Sequence, residues 1–365
     1  MKIGILGAGK IGTTIATLLE TCAFCTELVL GDNREEPAFP ARGRTGLRRL
    51  DFRNEDELDS FIRGRDAIVS AAPFFLNRAI ARACARCGVS YFDLTEDVET
   101  TSFIRELAKE ANVVFMPQCG LAPGAINVIG GGLVSQFSAP RSLELRVGAL
   151  PLYASNSMKY YLSWSTAGLI NEYCHLAEAL HAGKRLQTLP LEGLEKITLD
   201  GAEYEAFNTS GGVATMCETY EGRIQDLNYK TIRYPGHRDL MRFLLDDLNL
   251  GRNPKVLTEI FDQEVPMTDQ DVVIIFVNAV GSIEGEGFQQ RSFVKKILGT
   301  TVRETRLSAI QLSTAAGVLA MLELYNAGEL SSGFVKQESI ELDRFFSTKW
   351  GGRVYGPDIP TVAEP

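Results

Sequence analysis

The 365-residue chain has no uninterrupted apolar run of transmembrane length, so no membrane-spanning helix is expected. It also has no excess of basic residues. Its 37 Lys and Arg stand against 46 Asp and Glu, for a net charge of −9. That balance argues against a nucleic-acid surface and against an anionic membrane surface. An apolar run already begins at Ile3, which leaves no room for a signal peptide ahead of it. The expectation is a cytoplasmic protein. No repeat or low-complexity segment is present. Histidine is scarce, at three residues. The seven cysteines are odd in number, and a reducing compartment would keep them free.

Two cysteine pairs, Cys22-x-x-Cys25 and Cys84-x-x-Cys87, have the spacing of half zinc sites. Both fall in or at the end of segments with helical periodicity, and both lack the short knuckle loops that zinc ribbons use. They are read as small core fillers, and no metal is expected. The remaining composition, 45% apolar and 23% charged, is that of an ordinary soluble globule. The length suggests two domains, each with its own core.

The most informative segment is the first. An apolar run from Ile3 to Leu6 meets Gly7-x-Gly9-x-x-Gly12 and passes into an apolar-periodic stretch from Ile11 to Leu19. This reads as strand, tight turn and helix. Gly7 permits the turn, Gly9 lets a pyrophosphate approach the backbone, and Gly12 lets helix and strand pack closely. The helix N-terminus then offers free N–H groups and a positive dipole end to phosphates. Asp32 ends a second strand about 20 residues beyond the glycines, where an acidic residue takes the adenosine ribose hydroxyls. A bound dinucleotide follows. Asp32 favours NAD over NADP, because a carboxylate repels a 2′-phosphate; Arg34 is the residue that can reach such a phosphate instead.

Strands are expected at 2–6, 27–31, near 47–51, 67–70, 90–93 and 113–116, with helices near 11–20, 55–62, 77–87 and 99–111. The alternation implies a doubly wound parallel sheet, a Rossmann domain of the α/β class. Ligand then sits beyond the carboxyl ends of the strands. After Gly124 the pattern changes. Helices are expected at 125–136, 168–182 and 238–245, strands near 142–147 and 272–280, a β-rich stretch at 191–205 and a hairpin at 272–284. This second part reads as an α+β substrate and dimerisation domain, 125–304. An apolar helix at 308–325 is expected to pack back on the first domain. The division is therefore 1–124 with 305–345 for the dinucleotide domain, and 346–365 as a C-terminal tail rich in Gly and Pro from Trp350, with a mobile end.

The strand ends nominate the cofactor contacts: Gly7, Gly9, Lys10, Ile11, Gly12, Asp32, Asn33, Ala71, Ala72, Pro73, Asp93, Leu94, Cys119 and Pro123. His237, in a Pro-Gly turn, is a candidate acid–base group or a cap for the helix that follows. Asp93 is a candidate partner for an amine or a cap. His175 and His181 lie on an otherwise apolar expected helix and read as structural. Arg233 and Tyr234 can bind a carboxylate or brace their turn. Thr209, Ser210 and Gln118 are further candidates for ligand contact.

Four elements carry a resemblance: Gly7–Gly12, Cys119-Gly-Leu-Ala-Pro-Gly124, Ser163-Trp-Ser165 with Gly168, and Thr231-Ile-Arg-Tyr-Pro-Gly236. In this order and spacing the chain resembles the saccharopine reductase and lysine 6-dehydrogenase superfamily over roughly its whole length. Two departures separate the branches. Saccharopine reductases typically have Asp where Ala122 stands and Arg where Ala167 stands. Losing that Arg removes a partner for a substrate carboxylate. The lysine 6-dehydrogenase branch is matched at Ala122-Pro-Gly124 and at Ala206-Phe-Asn-Thr-Ser-Gly-Gly212, while Ser163-Trp-Ser165 is closer to the reductases. The resemblance implies NAD-dependent deamination of the terminal amine of L-lysine by a homodimer; for that reaction His237 and Asp93 are the candidate bases, and Arg233 and Tyr234 the candidate partners of the α-carboxylate. A saccharopine-type or polyamine-type dehydrogenase, and a non-catalytic dinucleotide-binding protein, are the alternatives.

Overall fold

A computed structural model describes residues 1–34 and 45–357. Its first half is built from β1 (Lys2–Leu6), β2 (Glu27–Asp32), β3 (Thr45–Arg49), β4 (Ala67–Ser70), β5 (Ser90–Asp93) and β6 (Val114–Met116). Between them run α1 (Lys10–Leu19), α2 (Glu55–Ile62), α3 (Asn77–Cys87) and α4 (Val98–Ala108). All pairings are parallel, in the order β6-β5-β4-β1-β2-β3. Parallel strands covered on both faces read as continuous apolar runs, and β4 and β5 are buried at every residue. The edge strand β3 is mostly exposed and polar, and it begins two residues before the expected position. One face of the sheet carries α2, α3 and α4 over a core with Leu58, Phe61, Ile80 and Ile104. The doubly wound expectation holds.

The second half opens with α5 (Ala125–Val134), buried throughout, and β7 (Ala139–Pro151). It continues through α6 (Thr166–Cys174), β8 (Ala177–His181), β9 (Lys184–Thr188), β10 (Glu195–Leu199) and β11 (Ala202–Asn208). After α7 (Met216–Tyr220) come β12 (Asp226–Arg233), α8 (His237–Arg242) and α9 (Pro254–Glu264). The long hairpin β13 (Asp271–Ile283) and β14 (Gly287–Leu298) follows, then a small hairpin, β15 (Thr300–Val302) and β16 (Thr305–Leu307). A mixed sheet runs β10-β11-β12-β7-β13-β14, with β8 and β9 attached at β12. The helix expected over 168–182 is corrected. It stops at Cys174, and the rest is β8, which turns into β9 through Ala182 and Gly183, both with positive φ. Consecutive left-handed residues are what a two-residue hairpin turn demands.

The chain then returns. α10 (Ala309–Asn326) lies against α1 and β13, buried nearly all round. One hydrophobic core runs without a break from α1 through α10 and α5 to β7 and β13. β17 (Gly333–Phe334) adds a seventh parallel strand beside β6. Within residues 346–365, expected as a tail, α11 (Leu342–Ser347) ends and α12 (Lys349–Tyr355) packs on α10, with Trp350 and Tyr355 buried. The expected mobile end lies outside the described residues.

The docking of the two halves turns on a helix cap. Asp271, buried at the start of β13, accepts from the N–H of Ala309 at 2.6 Å and of Ile310 at 3.0 Å. Ser308 and Gln311 form a capping box, and Gln311 Nε2 donates to Thr14 Oγ1 of α1 at 2.9 Å. Two orphan donors of α10 are thus satisfied by the other half. Asp271→Ala should lower unfolding free energy by about 1–3 kcal/mol, the cost of leaving buried donors unpaired. A thermal melt reads it, and an unchanged midpoint refutes the cap's contribution.

Candidate active site

The carboxyl ends of β1, β2, β4 and β5 open into one cavity of about 1320 Å³ that continues to the second sheet. At one end Gly7, Gly9 and Ile11 form the wall, with Ala71, Ala72 and Pro73 opposite and Leu94 and Pro123 further along. A Cβ at Gly9 would meet nothing within 4 Å, so the space over its backbone is open to a ligand. Gly12 is not in the wall. Its Cα lies against the carbonyl of Gly7, where a Cβ would overlap that oxygen, so it serves helix–strand packing.

Asp32 and Asn33 line the same end, with Arg34, Arg49 and Arg53. Asp32 Oδ2 accepts from Ala8 N at 2.6 Å, and Oδ1 from Arg34 N at 2.9 Å and Arg34 Nε at 2.8 Å. Burial opposes ionisation, but the Arg34 contacts and the Ala8 N–H outweigh it and hold the carboxyl below its ordinary value. Asp32 is therefore an anion, and Arg34 is paired to it.

Several candidates lie behind the wall. Lys10 turns away from the cavity, with its Nζ on Asp269 and near the carbonyl of Ser163. Asp93 is fully buried and accepts from Thr95 N (3.0 Å), Gln118 N (2.9 Å) and Tyr91 Oη (2.7 Å). Burial pushes it up to about 6 against these donors. It ties the end of β5 to the 118–124 loop. Gln118 is buried with φ of 64°, and Cys119 Sγ sits on the carbonyl of Met116. Thr209 and Ser210 are buried; Ser210 N donates to the carbonyl of Glu172 and closes the end of α6. Tyr234 donates to the carbonyl of Pro151 and stacks on Tyr204.

His237 is also buried behind the wall. Its Nδ1 lies 3.0 Å from the carbonyl of Met158, which makes Nδ1 the protonated nitrogen. Nε2 then accepts from Tyr173 Oη at 3.1 Å, and Tyr173 Oη accepts from Arg233 Nε at 2.9 Å. Burial and the nearby Arg233 charge push the imidazole down to about 3. His237 is a neutral brace, not a base in contact with ligand. Arg233 does reach the wall. It is clamped by Thr231 Oγ1 and the carbonyl of Ile232 through Nη1 and lies over the rings of Tyr160 and Tyr173. Its Nη2 takes no part in these bonds.

The groups missed from sequence are Glu96 and Glu172. Both line the cavity near Trp164, Tyr229 and Arg233. Burial pushes Glu172 up to about 8, helped by Glu96 and opposed by Arg233. Burial pushes Glu96 up to about 7, with its own backbone N–H opposing and Asp97 and Asp93 adding. Glu96 is one residue past the Asp93–Thr95 loop already identified. Glu172 is a lone acid in an apolar helix, a pattern that marks either exposure or a site. Among the described residues no cluster of His, Cys, Asp or Glu could hold a metal ion, and the seven cysteines are free. Among them, too, no helix is long and apolar enough to cross a membrane. The wall can thus hold a dinucleotide at one end and a small cation, with an anion beside it, at the other.

Residues 3–116 match the saccharopine dehydrogenase NADP binding domain, and residues 120–326 match the saccharopine dehydrogenase C-terminal domain. The chain belongs to the saccharopine dehydrogenase family. Rat mitochondrial alpha-aminoadipic semialdehyde synthase is 22% identical over 192 residues, covering 50% of this chain and 21% of that protein. The Arabidopsis thaliana alpha-aminoadipic semialdehyde synthase is 24% identical over 128 residues, covering 33% of this chain and 12% of that one. The match thus spans about a fifth or less of these relatives. Saccharopine dehydrogenase (L-Glu forming) from Saccharomyces cerevisiae shares the fold with a TM-score of 0.70 at 12% identity, over 92% of this chain and 93% of that one. Homospermidine synthase from Legionella pneumophila, solved in complex with NAD, has a TM-score of 0.71 at 13% identity, over 98% and 90%. The N-terminal match is to a dinucleotide-binding domain, in keeping with the glycine cradle.

A lowered histidine pKa means that the unfolded chain gains a proton below about 6.5 that the folded chain gains only near 3. His237 therefore costs stability as pH falls through that window. Its ring signals in NMR should stay fixed between pH 5 and 8; a midpoint near 6.5 would return it to the list of bases.

Proposed function

We propose that the protein catalyses NAD-dependent oxidative deamination of the terminal amine of L-lysine. The product is 2-aminoadipate 6-semialdehyde, which cyclises to a piperideine carboxylate, and ammonia is released. One observation carries the reading: a single cavity joins the dinucleotide cradle to Glu96, Glu172 and Arg233. Gly7, Gly9, Ile11, Asp32 and Ala71–Pro73 would hold the cofactor. When bound, its nicotinamide supplies the hydride acceptor. Asp32 supports NAD, since its anionic carboxylate suits ribose hydroxyls and repels a 2′-phosphate.

At the other end, Arg233 Nη2 takes the α-carboxylate of the substrate, and the acidic side chains take its terminal ammonium. Hydride can leave only from a carbon whose nitrogen is neutral, and a free lysine amine has a pKa of about 10.4. A carboxylate in the wall accepts that proton. Ala122 and Ala167, the two positions where saccharopine reductases typically have Asp and Arg, both line the cavity. Their small side chains leave Arg233 as the cation at this end among the described residues, which suits one carboxylate better than the three of saccharopine. A secondary-amine substrate, saccharopine or a polyamine, is the second reading, supported by the fold shared with homospermidine synthase. We propose further that the enzyme acts as a cytoplasmic homodimer, which sedimentation velocity would check for assembly.

The test follows nicotinamide reduction by absorbance at pH about 9.5–10, chosen to deprotonate part of the amine. L-lysine, saccharopine and diamines are added in turn. Signal with L-lysine is expected; signal confined to saccharopine or a diamine overturns the substrate. Silence throughout, with NAD⁺ binding established, favours a non-catalytic role. Asp32→Ala should weaken NAD⁺ binding about 10- to 100-fold, the worth of hydrogen bonds to a charged group, and narrow its advantage over NADP⁺. An unchanged ratio in a binding titration removes Asp32 from cofactor selection.

A further inference from the structure

Glu96 and Glu172 come from opposite halves of the molecule. Glu96 lies in the loop between β5 and α4, and Glu172 lies in the last turn of α6. Glu172 is 6% exposed and forms no ion pair, and no ion pair reaches Glu96 either among the described residues. Unpaired acids at the edge of a cavity call for a cation. What brings them together is Gly168. It sits four residues before Glu172, on the same face of α6. A Cβ there would lie 3.0 Å from Glu96 Oε1 and 2.6 Å from Trp164 Cζ3. The Glu96 carboxyl therefore rests on bare helix backbone, one turn from Glu172. Gly211 bounds it on another side, with Glu96 Cβ 3.0 Å from where a side chain would begin.

We propose that Glu96 and Glu172 form a two-carboxylate seat for the substrate's ammonium group, in which Glu172 is the base and Gly168 is the positioning residue that lets the two approach. The proposal rests on the amine-dehydrogenase reading above. In the step assigned here, a Glu172 oxygen takes one proton from R–CH2–NH3⁺. An N–H bond breaks, an O–H bond forms, and the amine becomes neutral. The carbon can then release a hydride to the oxidised nicotinamide, leaving R–CH=NH2⁺ facing the Glu96 carboxylate. Water adds to that carbon, giving R–CHO and NH4⁺.

Other ionisable groups around the seat have fixed roles. Arg233 favours the anion of Glu172; Asp93 and Asp97 disfavour that of Glu96. Tyr160, Tyr173 and Tyr229 are held above their ordinary range by burial and stay protonated. Without ligand the seat therefore retains a proton near neutral pH, and an arriving ammonium displaces it.

The experiment has two parts. First, binding of L-lysine and of 1,5-diaminopentane to the full chain is titrated by calorimetry near pH 7.5, in two buffers of different ionisation enthalpy. Release of about one proton is expected from the wild type and should vanish in Glu172→Gln. Wild-type binding with no proton release, or no binding of either probe, overturns the seat. Second, kcat/KM for whichever amine turns over is measured against pH. An acidic limb near the Glu172 value of about 8 is expected. Glu172→Gln should abolish the limb and lower kcat/KM by about 10²- to 10⁴-fold. Glu96→Gln and Gly168→Ala should move the limb to lower pH, since each takes like charge away from Glu172. A limb that stays put in all three variants overturns the assignment. Proton release without turnover would keep the seat and reject the deamination reading.

Discussion

The two halves that form the cavity are joined where a carboxylate of one caps a helix of the other. Asp271 belongs to the long hairpin of the second sheet, yet both of its oxygens are spent on the first N–H groups of α10. α10 in turn is seated on α1, the helix that follows the glycine turn. Helix ends are rigid, directional sets of donors, so this contact transmits orientation as well as attraction. The opposed acids in the wall come from the two bodies joined in this way. A separation of an ångström or two at the cap would be felt directly in their spacing. The continuous core from α1 to β13 gives the joint its stability, and the cap gives it its register.

The wall contrasts two kinds of buried polarity. Arg233, Tyr173, His237 and the carbonyl of Met158 make a closed chain in which each donor in use has an acceptor. Such a chain holds a guanidinium still and does little else. Glu96 and Glu172 have no such closure. Both line the cavity and form no ion pair among the described residues, which leaves their carboxyls open to a ligand. The imidazole looked like the reactive group because histidine titrates near neutrality in water. Its surroundings remove that property and raise the two acids into the same range instead.

Much of the nucleotide half was legible because its signals are local. The glycine turn, the buried strands and Asp32 all announce themselves within a few residues. The second half was harder. The 168–182 segment was apolar enough to pass as one helix, and only Ala182-Gly183 betrayed the hairpin. The acids were missed for a different reason. Gly168 lies one turn from Glu172, but nothing in the local sequence indicates that Glu96 will rest on it; that depends on the docking of the two halves. His237 and Asp93 were chosen on residue type and on position at a turn or strand end, and neither property reveals a side chain already saturated from behind.

The parallel sheet of the first half is finished by a strand from near the other end of the chain, with Gly333 and Phe334 beside β6. α10, which covers the sheet's second face, also comes after the whole of the second domain. As the chain leaves a ribosome, β1 to β6 emerge with α1 but not α10 on one apolar face, and with one edge open. They stay so until some two hundred further residues have been made. The mixed sheet can form in the meantime, because its strands are contiguous in the chain from β7 to β14. The order of completion is thus inverted relative to the order of synthesis: the domain that begins the chain is the last to close, and it closes around its partner.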